Sequence, residues 1–377
     1  VCVCVCVCVC LLFFAPSRRY RAGDEPPFAV LGTPSPSIRK MRQPSLRELL
    51  LGDAILPPLV MPEVYDFFAS AGGFSEGARQ AGCKVAWVCD NDPVALKTHA
   101  ENHPQAVHCE AELPMRRKRL PFPKDGRPFH AHFSPPCQKF SPVNQRHRHP
   151  TDREGACDLI TWSLKTALRS GATSWSLEQV ASPAVIALVE AMRRRHPKRI
   201  AYAKIDFAEL GVPQRRIRLI AGPPALVARL LRLCSASNVR GARHVIAKPR
   251  GTHLRNGKGW TSKHRGADGK WRYVKAGWHD NCIAIRRPAP TVLADRGMNW
   301  VTRRGHKVVG KHPRLRMREY ADLQTFPPTY QFPSTEQLAL KQIGNAVPPL
   351  VARLIMSGDR DATAHLCATR KATGGTP

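Results

Sequence analysis

The stretch Asp66-Phe67-Phe68-Ala69-Ser70-Ala71-Gly72-Gly73-Phe74-Ser75-Glu76-Gly77 decides the fold. It overlaps an apolar run at Val64 to Ala69, turns through two glycines and opens a helical stretch reaching about Ala81, after which a second apolar run spans Lys84 to Cys89. Strand, glycine turn, helix and strand in succession indicate an α/β fold, and small residues at such a turn let backbone N–H groups approach a bound ligand. Glycine-rich turns of this kind occur throughout α/β proteins, so the turn alone is a weak pointer to a nucleotide-like cofactor. Asp90 strengthens it, standing about 20 residues on, at the end of the second run, where an acidic side chain accepts hydrogen bonds from both ribose hydroxyls. Pro93 suits the first position of the next helix with Asp92 as its cap, which leaves the ribose role to Asp90.

Outward from this unit the alternation continues. Strands are expected at Phe129 to Phe133, Ser174 to Leu177, Ile200 to Ile205 and Arg218 to Ala221, with helix-like segments near Arg153 to Arg169 and Pro183 to Arg195. The pattern predicts a mostly parallel sheet flanked by helices. Between Pro223 and Leu315 the alternation fails and the composition shifts to 21 Lys and Arg against three acids, with Trp260, Trp271, Tyr273, Trp278 and Trp300 interleaved. That reads as a loop-rich surface that grips phosphates and reaches bases. A helix-compatible apolar pattern returns from Leu315 to Met356, followed by a small polar tail.

The whole chain of 377 residues carries 59 Lys and Arg against 28 Asp and Glu, a formal net charge of +31. An excess of that size marks a chain that meets a polyanion, nucleic acid first among them. Five of the 13 cysteines fall in the opening Val-Cys alternation, and the other eight show no C-x-x-C spacing. That argues against a zinc site, and scattered cysteines suit a reducing, intracellular setting better than a disulfide framework. No stretch reaches the roughly 18 apolar residues that span a bilayer. The opening repeat reads as a translated GT dinucleotide repeat rather than a signal peptide, since no basic segment precedes it. Residues 15 to 60, rich in Pro, Ser and Arg, read as a poorly ordered arm with one short helix near Leu46 to Leu51.

Phe133-Ser-Pro-Pro-Cys-Gln-Lys-Phe-Ser141 begins at a strand end, which places Cys137 in a stiff loop at the carboxyl edge of the sheet, where such folds bind substrates. A lone cysteine is more often a small buried hydrophobe. Two preceding prolines and the following Gln138 favour a held, exposed nucleophile instead.

Asp66 to Gly77, Pro135-Pro-Cys-Gln138, Glu178-Gln-Val180, Gln214-Arg-Arg-Ile-Arg218 and Gln342-Ile-Gly-Asn-Ala-Val-Pro-Pro349 resemble, in order, the signature blocks of the C5-cytosine DNA methyltransferases, over residues 63 to about 355. Arg318-Glu-Tyr-Ala-Asp-Leu-Gln-Thr-Phe-Pro327 is similar to the block that follows that family's target recognition region. The resemblance implies a class I, Rossmann-like methyltransferase fold with a smaller target recognition domain. The expected divisions are an arm at 1–59, a catalytic domain at 60–222 plus 313–360, a basic recognition domain at 223–312 and a tail at 361–377. It also implies S-adenosyl-L-methionine as cofactor and double-stranded DNA as partner, a monomer without metal or membrane, working in the nucleus of a eukaryote or the cytoplasm of a prokaryote.

By the same resemblance Cys137 attacks C6 of a flipped-out cytosine, Glu178 serves N3 with a partly protonated carboxyl group, and Arg216 and Arg218 anchor O2 and its surroundings. Phe68, Ala69, Gly72, Gly73, Asp90, Asn91, Glu112 and Asn345 surround the cofactor, with Glu110 a competitor for the place of Glu112. Gly344 and Asn345 are expected to return near the glycine loop as the C-terminal helix packs beside the first strand. Two residues depart from the family pattern: Ser70 stands for its first glycine, and Gln179 for the asparagine after the glutamate, which bears on how Cys137 is aimed. A tRNA methyltransferase of the same fold is the nearest rival, disfavoured because Cys282 is followed by Ile283 and Ala284 rather than Phe and Thr; a catalytically impaired nucleic-acid-binding homologue is the other.

Overall fold

The computed structural model describes residues 61–116, 120–136, 150–256, 261–265, 271–275, 282–295, 297–305 and 307–357. The expectations for the N-terminal arm, Cys137, Trp260, Trp278 and the tail lie outside the described residues.

Strand β1 (Glu63–Phe67) occupies the middle of a seven-stranded sheet, pairing in parallel with β2 (Val85–Asp90) on one side and β4 (Phe129–Phe133) on the other. With β3 (Val107–Glu110), β5 (Ser174–Val180), β6 (Ala201–Asp206) and β7 (Ile217–Gly222), the order is β3-β2-β1-β4-β5-β7-β6, and β7 runs antiparallel to both neighbours. The chain leaves β1 toward β2 and returns on its other side at β4, so the crevice beyond the carboxyl ends of β1 and β4 is the topological switch point at which such sheets bind ligands.

Alternation in β1 explains the two layers of helix. Tyr65 and Phe67 face a core completed by Ile160 and Leu164 of α3 (Pro150–Arg169) and by Val185 and Val189 of α4 (Pro183–Arg195). Val64 faces the opposite core, shared by Phe74 and Ala78 of α1 (Gly73–Gln80), Leu226 and Leu230 of α5 (Pro224–Leu233), and Val351, Leu354 and Ile355 of α8 (Pro349–Met356). Each such aliphatic side chain, fully buried, contributes about 1.5–3 kcal/mol. Helix α8 packs on α1, its register set by glycine: a Cβ at Gly73 would run into the Val347 carbonyl and one at Gly77 into the Pro349 carbonyl. The C-terminal return packs on α1 and shares the core of Val64 from β1, with Ala346 and Val347 against Gly73 of the glycine turn, while Gly344 packs against Leu293 and Ala294. Helix α2 (Pro93–Asn102) starts as its sequence indicates, with the Asp92 carboxylate accepting from Val94 N at 3.1 Å and Ala95 N at 3.2 Å. Such a cap contributes about 1 kcal/mol.

The basic quarter departs from the loop-rich expectation. It contains an antiparallel sheet of order β11-β8-β12-β13, formed by β8 (His253–Asn256), β11 (Cys282–Ala284), β12 (Met298–Arg304) and β13 (Lys307–Arg314). A two-stranded ribbon pairs β9 (Thr261–Arg265) with β10 (Trp271–Lys275). The expected change of character at Pro223 also comes one helix later, because α5 turns Leu226, Val227 and Leu230 onto the large sheet. Trp300, read as a base-reaching aromatic, is instead wholly buried beside Leu254, Met298, Tyr320, Leu323 and Phe326, where α6 (Met317–Leu323) and α7 (Glu336–Asn345) close this second core. Strand periodicity there is masked because basic residues are interspersed on both sides, Arg304, Lys311 and Arg314 exposed and Arg255 buried.

Among the described residues no helix is long and apolar enough to cross a membrane, and no cluster of three or more His, Cys, Asp or Glu could hold a metal ion.

Candidate active site

The glycine turn after β1 is held in an unusual backbone shape. Phe68, Ser70 and Gly72 all have positive φ, at 61°, 48° and 92°. The shape is fixed by Ala69 N donating to Cys89 O at 3.0 Å, Gly72 N to Ala69 O at 2.9 Å and Ser70 N to the Asp90 carboxylate at 2.8 Å. The Tyr330 hydroxyl also donates to the Ala71 carbonyl, and a Cβ at Gly72 would strike Tyr330 and the His99 ring, so Gly72 has both a conformational and a packing reason. Ser70 shares the positive φ without glycine's freedom, and a side chain in the left-handed region is strained. We therefore expect Ser70→Gly to raise the unfolding free energy by about 0.5–1 kcal/mol, measured by urea denaturation, and to leave the turn's hydrogen bonds intact.

Asp90 ends β2 directly beside this turn. Its two carboxylate oxygens accept from Ser70 N and Asp92 N, and burial raises its pKa. Each carboxylate oxygen keeps a further lone pair. Asn91 and Glu112 are exposed at the same edge, and Glu110, also exposed, pairs in register with Asp90, so the two acids stay equally placed. Asn345 is the exposed last residue of α7, and the chain immediately after it, at Ala346 and Val347, touches Gly73. Behind the turn lies Asp66, fully buried, bonded to the Ser75 hydroxyl at 2.8 Å and pushed by desolvation to a pKa of about 7.

The segment leading to Cys137 leaves β4 at this edge. Ser134 N donates to Phe67 O at 3.1 Å, which ties its start to the end of β1. Gln179, 0% exposed on β5, donates from Nε2 to the Pro135 carbonyl at 3.0 Å, while its Oε1 accepts from Val180 N at 2.7 Å. The residue that departs from the family pattern therefore does reach the backbone two residues before Cys137.

Glu178 and Arg218 meet across β5 and β7, where Val180 pairs with Arg218. Arg218 Nε lies 2.9 Å from Glu178 Oε1, yet their alignment leaves that buried oxygen short of a hydrogen bond. Arg216 is 2% exposed and directs its guanidinium to the carbonyls of Ala346, at 3.1 Å, and Val292, at 3.4 Å. The structure thus brings Glu178 and Arg218 together and turns Arg216 toward the chain after α7.

Sequence reasoning did not single out the buried amides beside Arg216. Gln214 Nε2 donates to Gln324 Oε1 at 2.7 Å and to Leu323 O at 3.0 Å, and Val292 N donates to Gln214 Oε1 at 2.9 Å. Gln324 Nε2 donates in turn to Ile343 O at 2.6 Å. Both glutamines stand inside quoted blocks, Gln214 between Pro213 and Arg215 and Gln324 at the end of α6, and their place in those blocks is the signal that points to them.

The sequence model of the family described as C-5 cytosine-specific DNA methylase matches residues 63–164 and 240–358. The chain is 25% identical over 302 residues to the Type II methyltransferase M.HgiDI of Herpetosiphon aurantiacus, covering 75% of this chain and 89% of that one. It is 22% identical over 305 residues to the Type II methyltransferase M.HindV of Haemophilus influenzae, covering 78% and 94%. Among solved structures it is similar to a putative DNA modification methyltransferase encoded within an E. coli prophage, with a TM-score of 0.51 at 19% identity over 81% of this chain and 99% of that one. The S. pombe Dnmt2 methyltransferase gives a TM-score of 0.51 at 15% identity, covering 78% and 97%.

Proposed function

The chain belongs to the C-5 cytosine-specific DNA methylase family, and from that membership we propose how its own residues carry out cytosine-5 methylation of double-stranded DNA. The observation that carries the reading is the meeting of Glu178 and Arg218 at 2.9 Å at the sheet edge from which the Ser134-Pro135-Pro136 segment departs.

C5 of cytosine is a poor nucleophile until a group adds to C6. The Cys137 thiolate makes that bond, and the electron pair displaced toward N3 is met by a proton held at Glu178. Arg218 steadies the Glu178 carboxyl group and faces the ring's polar edge, and Arg216, tied to the Ala346 and Val292 carbonyls, holds the floor on which that edge rests. S-adenosyl-L-methionine, when bound, supplies the methyl group. Loss of the C5 proton to solvent then re-forms the double bond and expels Cys137 as thiolate, and N3 returns its proton to Glu178. The target base must leave the duplex to reach these groups, at a cost of a few kcal/mol.

The residues at the glycine turn fit such a cofactor. Asp90 offers a desolvated carboxylate to a pair of hydroxyls, Phe68 and Ala69 border it, and Gly72 and Gly73 let the turn pack tightly on Tyr330, His99 and Val347, which holds its shape. Asn91, Glu112 and Asn345 complete the edge. The catalytic domain is assigned to 60–222 with 313–360 and the recognition domain to 223–312, where 17 of the 31 net positive charges lie. The protein is assigned as a monomer that works without metal in whichever compartment holds the DNA.

Glu178→Gln tests the assignment. It keeps size and removes the transferable proton, so single-turnover methyl transfer should fall about 100-fold while cofactor affinity stays within about twofold. A loss of less than about threefold would remove Glu178 from the reaction.

A further inference from the structure

Strand β4 reads Phe129-His130-Ala131-His132-Phe133, and its alternation sends the two histidines to the opposite face from the phenylalanines. Both rings lie under Phe74 of α1, the His132 ring stacked on it at 3.5 Å with planes 3° apart. Both are wholly buried, and desolvation lowers both pKa values, that of His130 to about 3, so the rings are neutral.

The hydrogen bonds of the two rings run as a chain toward the Cys137 segment. His130 Nε2 lies 2.9 Å from Ser176 Oγ, Ser176 Oγ lies 2.7 Å from His132 Nδ1, and His132 Nε2 lies 2.6 Å from Ser134 Oγ. Ser176 stands in register with His132 on β5, two residues before Glu178. Ser134 is half-buried and is the first residue beyond β4, three before Cys137.

Proton counting restricts this chain to two states. A neutral imidazole donates at one nitrogen and accepts at the other, and a hydroxyl donates once. If Ser176 donates to His130, it accepts from His132, and Ser134 must donate inward to His132. If Ser176 donates to His132, then His132 donates to Ser134, whose own proton is released toward the sheet edge. Four side chains therefore switch together, and only the last of them reaches the edge.

We propose that His130, Ser176, His132 and Ser134 form a buried relay of positioning residues that fixes the start of the Cys137 segment and sets whether Ser134 donates or accepts there. The relay deepens the methyltransferase reading, resting on it for the role of Cys137 while standing on its own geometry.

The test follows Cys137 directly. Alkylation of Cys137 by iodoacetamide, read by peptide mass spectrometry on the full chain, should change by at least about threefold in Ser134→Ala. Ser176→Ala should shift it in the same direction without altering the segment itself, and the double variant should go no further than Ser134→Ala alone. Methyl transfer should fall about tenfold in Ser134→Ala, with cofactor KM unchanged and the thermal midpoint retained, and Ser134→Thr, which keeps the hydroxyl, should recover it. Alkylation and transfer rates within about 1.5-fold of the parent in both alanine variants overturn the relay, as does simple additivity in the double variant. A parent that transfers no methyl group, while alkylation still responds as stated, removes the methyltransferase reading and leaves the relay in place.

Discussion

Replacing Cys137 with alanine abolishes methyl transfer, with a loss on the order of 10⁴-fold or more in single-turnover assays. The size follows from the chemistry, since C5 becomes nucleophilic only through addition at C6 and no neighbouring group can substitute for a thiolate. On the proposed mechanism Glu178 and Arg218 act on charge that never develops without the new bond. DNA affinity should stay within about threefold, because the basic sheet of β8 and β11 to β13 owes nothing to the thiol. Cys137→Ser should be nearly as inactive, a hydroxyl being far less acidic than a thiol. Retention of more than about a tenth of parental transfer in the alanine variant would mean that the reaction does not pass through Cys137.

Mild acid unfolds the protein, with stability falling steeply below pH 6.5. Seven described histidines are depressed by burial below the ordinary value of about 6.5; the wholly buried four, His99, His103, His130 and His132, dominate, His103 at about 4 and His130 at about 3, with His108, His244 and His253 adding in the same direction. A depressed histidine keeps the folded state unprotonated where the unfolded chain binds a proton, so its contribution is whole above pH 6.5 and is lost as pH falls toward the folded value. Asp66, raised to about 7, and Asp90, also raised, act in the opposite sense and offset part of the loss. The net difference of two to three protons corresponds to roughly 3–4 kcal/mol per pH unit. Against a typical 5–15 kcal/mol of stability, that places acid unfolding near pH 4 to 5. His99 lies against Gly72, and His103 lies 3.5 Å from the Tyr330 hydroxyl that holds Ala71, so the cofactor turn should loosen with the same transition. Urea midpoints at pH 7 and pH 5 measure the slope, and equal midpoints would contradict it.

The central sheet was legible because its strands are buried on both faces and bounded by turn residues, as at Val64 to Ala69 and Phe129 to Phe133. Strand β3 was not, since Val107-His108-Cys109-Glu110 is an edge strand with exposed ends and no apolar run. The second sheet was hidden for a related reason: Arg304, Lys311 and Arg314 stand exposed and Arg255 buried among its few apolar residues, so no clean alternation shows and Trp300 looked like a nucleic-acid contact when it is the largest side chain of a core. Asp92 as a helix cap and Asp90 beside the glycine turn follow from local spacing, which sequence records well. Contacts between distant segments, such as Gln179 with Pro135 or Gln214 with Gln324, depend on strand order and were beyond it. Arg216 shows the same limit, because its carbonyl partners come from residues 76 and 130 positions away.

The most direct measurement is transfer of tritium-labelled methyl groups from S-adenosylmethionine to double-stranded DNA and to tRNA, with the parent and Cys137→Ala side by side and the modified base identified after digestion. The account predicts 5-methylcytosine in DNA with the parent and none with the variant. Label on tRNA alone, methylation at a position other than C5, or no incorporation on either substrate would contradict it.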